Sequence, residues 1–291
     1  ADCSLLRITL AQDAQYQLWV PLKDIAPNAV EATKLYEDRY FDWHVGVNPI
    51  ALARGILRTY SGSSRQGAST ITMQLARSLY GIDSRSILGK SKQILAAIWL
   101  EARYSKQDIL EAYLNIAPYG GNVKGIATAS LFYFNKPANR LNLPEAMTLA
   151  VIPQNPNKRL NIHNKNTQLN EARTRLWHDW LKQHPHDNKY SADMMLPTQP
   201  LKASRQLATQ HLPFLAPHFT DAILAEHRPQ SAIRTGLNTR AQTTLERMVS
   251  SYIANNKNIG INNVSAMLYD AKTMQVKALV GSANYFDAEI D

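Results

Sequence analysis

Apolar residues recur at helical spacing through most of the first 155 positions. A helix is predicted from Pro27 to about Asp38, with Asn28 as N-cap and Glu31 three positions on as a capping-box variant. Further helices are predicted over Pro49–Tyr60, Ser69–Leu79, Ser86–Tyr104, Gln107–Leu114, Val123–Phe134 and Pro144–Ile152. In the Ser86–Tyr104 segment, Ile87, Ile94, Leu95 and Ile98 form one apolar stripe. Ser61–Ser64 with Gln66-Gly67 reads as a loop. Ahead of the first helix, residues 5–10 and 17–22 alternate as two short strands around a turn at Gln12–Gln15. The pattern then changes. Residues 153–235 hold most of the prolines and much Asn, His and Gln, with one clear helix near Glu171–Lys182. After Thr235, a helix over Arg240–Ala254 precedes two strands, Val264–Asp270 and Gln275–Gly281, joined at Ala271–Met274. The reading is mainly α: one domain over residues 1–160, a connector over 161–234, and over 235–291 the first helix and strands of an α+β domain, expected to be truncated.

Composition narrows this picture. The chain has 291 residues, 45% of them hydrophobic and 19% charged, so it can bury a sizeable core and is not a disordered tail. Its longest strongly apolar run, Ile94–Leu100, is seven residues, against the roughly twenty needed to span a bilayer. No signal peptide opens it. The lone Cys3 excludes an internal disulfide and a cysteine-rich zinc site. Between Arg39 and Lys92, eight basic residues face two acids, so this window supplies six of the nine net positive charges. Such a surplus points to an anionic partner, against the alternative of a solvated face.

Three clusters carry candidate chemistry. Glu37-Asp38-Arg39-Tyr40-Phe41 with His44 and Gly46 sets carboxylates beside aromatics. Glu37 falls in the last turn of its helix, where the dipole and partial burial under Tyr40, Phe41 and Trp43 both raise a carboxyl pKa toward that of a general base. Arg39 opposes this, and a helix-end ion pair is the other reading. Gly67 through Arg77 sets a glycine and hydroxyls at a helix start, suited either to a phosphate or to ordinary capping by Ser69 or Thr70. Thr70, Met73, Gln74 and Arg77 share a face there. Lys90 and Gln93 share another, with Arg85 one turn earlier: a diphosphate clamp, or a solvated stripe. Gly89-Lys90-Ser91 ends like a P-loop, but Ser84 stands where the first glycine belongs. There is no Gly-x-Ser-x-Gly, His-Glu-x-x-His or Gly-x-Gly-x-x-Gly, no metal site is expected, and no recognition-helix pattern supports nucleic acid as a partner. Ser-x-x-Lys and Lys-Thr-Gly are both absent.

These motifs, in order, resemble glycosyltransferase family 51, the peptidoglycan glycosyltransferases of class A penicillin-binding proteins. Glu37-Asp38-Arg39-Tyr40-Phe41-x-x-His44-x-Gly46 and Gly67–Arg77 resemble the first two signatures. Arg85–Gln93, Ile109–Asn115 with Tyr119-Gly120-Gly121, and Leu143–Ala146 fall where the other three belong. Thr72-Met73-Gln74 and Gly89-Lys90 are similar to the 1C subtype. The resemblance implies a lysozyme-like α domain with a mobile jaw near the membrane, and a transpeptidase domain begun at residue 235. It implies Glu37 as the base that activates an acceptor hydroxyl of lipid II for inverting attack. Ser69, Gln74, Arg77, Arg85, Lys90 and Gln93 would hold the diphosphate. Asp38, Arg39, Phe41, His44, Gly67, Tyr113 and Asn115 would support the motifs. Ile50, Leu52, Ile56, Leu57 and Tyr60 with Arg54 and Arg58 would make the jaw interfacial. Lipid II, the growing glycan strand, the membrane surface and other cell wall proteins are the implied partners. The implied place is the periplasmic face of the inner membrane, with an anchoring helix ahead of Ala1.

Two departures qualify the resemblance. The family's third signature usually reads Arg-Lys-x-x-Glu, where this chain has Gly89-Lys90-Ser91-Lys92-Gln93, and its usual Gln-Gln is here Met73-Gln74. They raise a rival reading, a weakly active or inactive scaffold that binds lipid II. They also yield an expectation about cofactors. An amide at 93 can donate straight to a phosphate oxygen, so no cofactor is required and Mg or Mn should be dispensable.

Overall fold

The computed structural model describes residues 4–11, 13–49, 69–160, 167–195, 212–226 and 232–287. Residues 50–60 of the predicted helix Pro49–Tyr60, the loop after it, Gly67 and the proposed jaw residues from Ile50 to Tyr60 lie outside the described residues. The rest is mainly helical, as the apolar spacing predicts, and falls into two compact units.

The larger unit runs from Leu10 to Leu212. Its helices are α1 (Pro27–Glu37), α2 (Ile71–Leu79), α3 (Ile87–Arg103), α4 (Lys106–Ile116), α5 (Ile126–Phe134), α6 (Leu143–Val151), the single turn α7 (Pro156–Arg159), α8 (Thr167–Gln183) and the short α9 (Ser191–Met195). Several of the starts have a local cause. Thr70 and Ser86 cap α2 and α3 through their hydroxyls, and capping boxes close α4 (Ser105 with Asp108) and α6 (Asn142 with Glu145). Helix α1 departs from expectation. It begins at Pro27 with Ala26 as an N-cap that makes no side-chain bond, so Asn28 sits inside the helix. Helix α6 is buried on nearly every side, from Leu143 through Val151 with only Pro144 and Glu145 outside that set, which makes it the central helix. It packs against α1, α5 and α8. Helix α2 packs against α3 and α4.

The predicted N-terminal strand pair does not form. Instead Tyr16–Gln17 (β1) pairs in parallel with Val123–Lys124 (β2). The following backbone donors are taken by helix side chains: Leu18 by Thr128 Oγ1, Val20 by Asn115 Oδ1 and Leu22 by Glu111 Oε2. With those donors satisfied, a partner strand has nothing to add. The stripe on α3 also faces otherwise than its hydrophobicity suggests. Ile87, Leu95 and Ile98 are exposed, while Gly89, Gln93, Ala97 and Leu100 are buried. Close helix packing selects small side chains on that face.

Residues of the expected connector belong to the larger unit. Helix α8 buries Leu169, Ala172, Leu176, Trp177 and Trp180 and packs on α1, α6 and α7. The second unit takes the described residues up to Thr9 and those from Pro213 onward. It holds α10 (Pro217–Glu226), α11 (Thr239–Asn256) and an antiparallel hairpin of β3 (Ala266–Asp270) and β4 (Gln275–Val280), close to the predicted strands. Its small core is Ala216, Phe219 and Leu237 with Leu6, Ile223, Val276 and Leu279 around them. Arg7 bridges to Phe214, which ties residues 4–9 to this unit.

Candidate active site

The site is built where α1 ends against α2. Glu37 is the last residue of α1 and Asp38 its C-cap. The two adjacent carboxylates meet different surroundings. Asp38 accepts the backbone N–H of Ile71 at 3.0 Å, in the first turn of α2, and the ring of His44 at 2.9 Å. A helix N-terminus favours an anion there. Phe41 is buried edge-on to His44, with Lys106 Nζ over its ring at 4.5 Å. Gly46 has φ +86°, and a Cβ there would stand 2.8 Å from the Ala97 carbonyl oxygen, so only glycine fits. Its own carbonyl accepts the Thr70 hydroxyl at 2.6 Å. Asp38, Phe41, His44 and Gly46 thus sew the loop after α1 to α2 and α3.

Glu37 is held differently. Its Oε2 accepts Gln74 Nε2 at 2.7 Å, and its Oε1 is buried without a partner. Burial pushes its pKa up from 4.5 to about 7, opposed by the Gln74 hydrogen bond and then by the charge of Arg159; neighbouring Asp38 raises it and Arg77 lowers it. The expected elevation is present, but its origin differs in part. Of the three aromatics expected to cover Glu37, Phe41 is buried, whereas Tyr40 and Trp43 are 57% and 88% exposed. Arg39 is exposed, and among the described residues Glu37 makes no ion pair, so the helix-end pair with Arg39 is not formed. The hydroxyls of Tyr113 and Tyr119 are buried without partners, and burial pushes both pKa values up, with the charge of Glu37 adding to it. Asn115 is a clamp: its side chain exchanges two hydrogen bonds with the Val20 backbone.

The expected diphosphate residues divide. Lys90 Nζ donates to Ser69 Oγ at 2.8 Å and to Gln93 Oε1 at 3.0 Å. Burial, then the charge of Arg77, push the Lys90 pKa down. Gln74 and Arg77 sit on α2, with Arg77 exposed and acting on both Glu37 and Lys90. Glu37, Gln74, Arg77, Lys90 and Ser69 therefore form one neighbourhood. Arg85 stands apart from the expected clamp. It precedes α3, its side chain is 88% exposed, and its Nε and Nη2 grip Asp83, whose carboxyl is held well below the usual range. Gln93 differs from the expected direct donor: it is fully buried, and its Nε2 donates at 2.7 Å to the Met73 carbonyl.

Two groups of supporting residues escape sequence reasoning. Arg159 Nη2 donates to Tyr36 Oη at 2.8 Å and to Gln154 Oε1 at 3.1 Å. This sets a buried guanidinium behind the residue before Glu37. Glu101 receives Lys106 Nζ at 2.7 Å and the Thr72 hydroxyl at 2.6 Å, joining α3, α4 and α2. No local spacing links residues 36 and 159.

A buried carboxyl raised to about 7, held by Gln74 one helix turn before Arg77 on α2, has the properties of an acid–base group. Comparison with known proteins gives the particular family. Residues 5–180 match the transglycosylase family. Penicillin-binding protein 1C of Escherichia coli is 32% identical over 97% of this chain and 37% of its own length. Penicillin-binding protein 2D of Bacillus subtilis is 33% identical over 94% of this chain and 40% of its own. A biosynthetic peptidoglycan transglycosylase of Agrobacterium fabrum is 38% identical over 47% of this chain and 61% of its own. The chain belongs to the transglycosylase family, and it spans between 37% and 61% of the length of these relatives.

Proposed function

We propose that this chain polymerises lipid II into glycan strands, with inversion at the anomeric carbon and release of the polyprenyl diphosphate. The observation that carries the reading is Glu37: a carboxyl tuned by burial to about 7, with one oxygen held by Gln74 and the other unpartnered. That free oxygen takes the proton of the acceptor's 4-hydroxyl. The hydroxyl oxygen then bonds to the anomeric carbon as the bond to the diphosphate breaks, and the diphosphate leaves with the electron pair. Lys90, Arg77 and Ser69 meet the charge that develops on it. Arg85 joins them only if it exchanges Asp83 for phosphate. No cofactor enters, and Mg or Mn is dispensable, since Lys90 and Arg77 supply the counter-charge. The reaction belongs on the periplasmic face of the bacterial inner membrane, with lipid II and the growing strand as substrates and other cell wall proteins as neighbours. No described helix is long and apolar enough to cross a membrane.

The test is incubation with labelled lipid II, with and without chelator, followed by gel separation of glycan strands. The parent should make strands under both conditions. Glu37→Gln should lose a hundredfold or more, about the value of base catalysis. Binding without strand synthesis would instead establish the scaffold reading.

A further inference from the structure

Gln93 carries two hydrogen bonds of opposite sense. Its Nε2 donates to the Met73 carbonyl of α2 at 2.7 Å, and its Oε1 accepts Lys90 Nζ on α3 at 3.0 Å. The same ammonium donates to Ser69 Oγ at 2.8 Å. Among the described residues no carboxylate pairs with Lys90. We propose that Gln93 is a positioning residue: it anchors Lys90 to the α2 backbone while leaving the ammonium's charge whole for a diphosphate. This rests on the proposed polymerisation, whose leaving group is a diphosphate.

The argument is one of donor and acceptor count. A neutral amide offers an acceptor to Lys90 and a donor to Met73 at once. A carboxylate in the same place also accepts from Lys90, but its second oxygen would face the Met73 carbonyl oxygen at 2.7 Å, acceptor against acceptor. Its charge would also neutralise the ammonium. A protonated carboxyl restores both bonds and the neutral charge. Gln93→Glu is therefore a conditional mimic of the parent, faithful when protonated and disruptive when ionised.

The other charged groups nearby are common to parent and variant. Arg77 approaches Lys90 from α2, and Lys92 lies on α3 itself. Glu37 reaches α2 through Gln74, and Asp38 with His44 lies at the α2 N-terminus. Glu101 is engaged by Lys106 of α4 and by Thr72, and Tyr113 of α4 is buried. A ratio of variant to parent at each pH cancels their titration, and that of the probe.

The experiment is calorimetric binding of inorganic pyrophosphate from pH 5 to 8.5 to the parent, Gln93→Glu, Gln93→Met and Lys90→Ala, alongside lipid II turnover. Full burial and the facing Met73 carbonyl raise the introduced carboxyl's pKa against the pull of Lys90, so Gln93→Glu should approach the parent toward pH 5 and bind about tenfold more weakly at pH 8, the size of a lost charge-assisted contact. Gln93→Met, which removes both bonds without adding charge, should bind more weakly at every pH with a flat ratio, and Lys90→Ala should be weakest. A pH-independent ratio for Gln93→Glu, parent-like binding by Gln93→Met, or no pyrophosphate binding by the parent would each overturn the assignment. If Gln93→Glu does not fold, Gln93→Met decides alone. The two readings separate cleanly: a parent that makes strands with a flat ratio loses only the role of Gln93, and a parent that binds as described but makes no strands loses only the polymerisation.

Discussion

Glu37 and Asp38 are chemically alike and adjacent, yet the structure gives them different work. Asp38 is saturated by a helix N–H and a histidine, which suits a fixed anion. Glu37 is buried with a single amide contact, which suits a group that must gain and lose a proton. The apparent pKa on the rising limb of kcat/KM for strand synthesis should accordingly lie near 7, not near 4.5. The same elevation has a stability sign. The folded protein holds this proton more tightly than the unfolded chain does, so its contribution is fully present below pH 4.5 and is lost as pH rises through about 7. The loss is of order 3 kcal/mol, at roughly 1.4 kcal/mol per pH unit. Glu37→Gln escapes it. Urea unfolding of parent and variant across pH 4 to 8 should show the difference moving in the variant's favour as pH rises. A constant difference would mean that Glu37 is ionised at pH 5.

At the scale of elements, the seam between α2 and α3 organises the site, and Gly89 permits it. The glycine lies in the first turn of α3, where its N–H is capped by Ser86 Oγ at 3.0 Å. A Cβ there would stand 1.8 Å from the Asp83 carbonyl oxygen, a backbone atom that cannot swing aside. Gly89 is thus a packing requirement one residue before Lys90, and its likeness to the end of a P-loop is incidental. Gly89→Ala should cost about 2 kcal/mol or more by overpacking and should displace Lys90. Thermal unfolding should show a lowered Tm relative to Ser91→Ala, an exposed position on the same helix. An unchanged Tm would show that the turn before α3 relaxes freely. The seam also explains the exposed Ile87, Leu95 and Ile98: the buried face was assigned to the small residues and Gln93 that let α2 approach.

At the scale of the molecule, the two units differ in how much they bury. The larger has a central buried helix and layers of helices around it. The smaller has a core cluster of Ala216, Phe219 and Leu237, also buries Val249, Ala278 and Val280, and leaves Met267, Leu268 and Tyr269 of its first strand exposed. No serine in the chain is followed three residues later by lysine, the arrangement that penicillins acylate. A fluorescent penicillin should therefore leave the protein unlabelled, and a covalent band on a denaturing gel would reveal a nucleophile outside that pattern.

What the sequence by itself determined is what local physics controls. Helical periodicity placed the described helices between Pro27 and Val151 to within a few residues, and β alternation placed the hairpin of Ala266–Val280. The position of Glu37 at a helix end beside aromatics pointed to a raised carboxyl but left a helix-end ion pair open, and burial in the fold decided between them. Those signals act over about four residues. The tertiary structure decided the choice of partner. Arg85 and Lys90 are five positions apart in sequence, yet one grips Asp83 and the other Ser69 and Gln93. Arg159 reaches Tyr36, Asn115 holds Val20, and β1 finds β2 more than a hundred residues away. Each buried polar group needs a partner, but which one it meets depends on how helices stack across the core, and no local spacing encodes that.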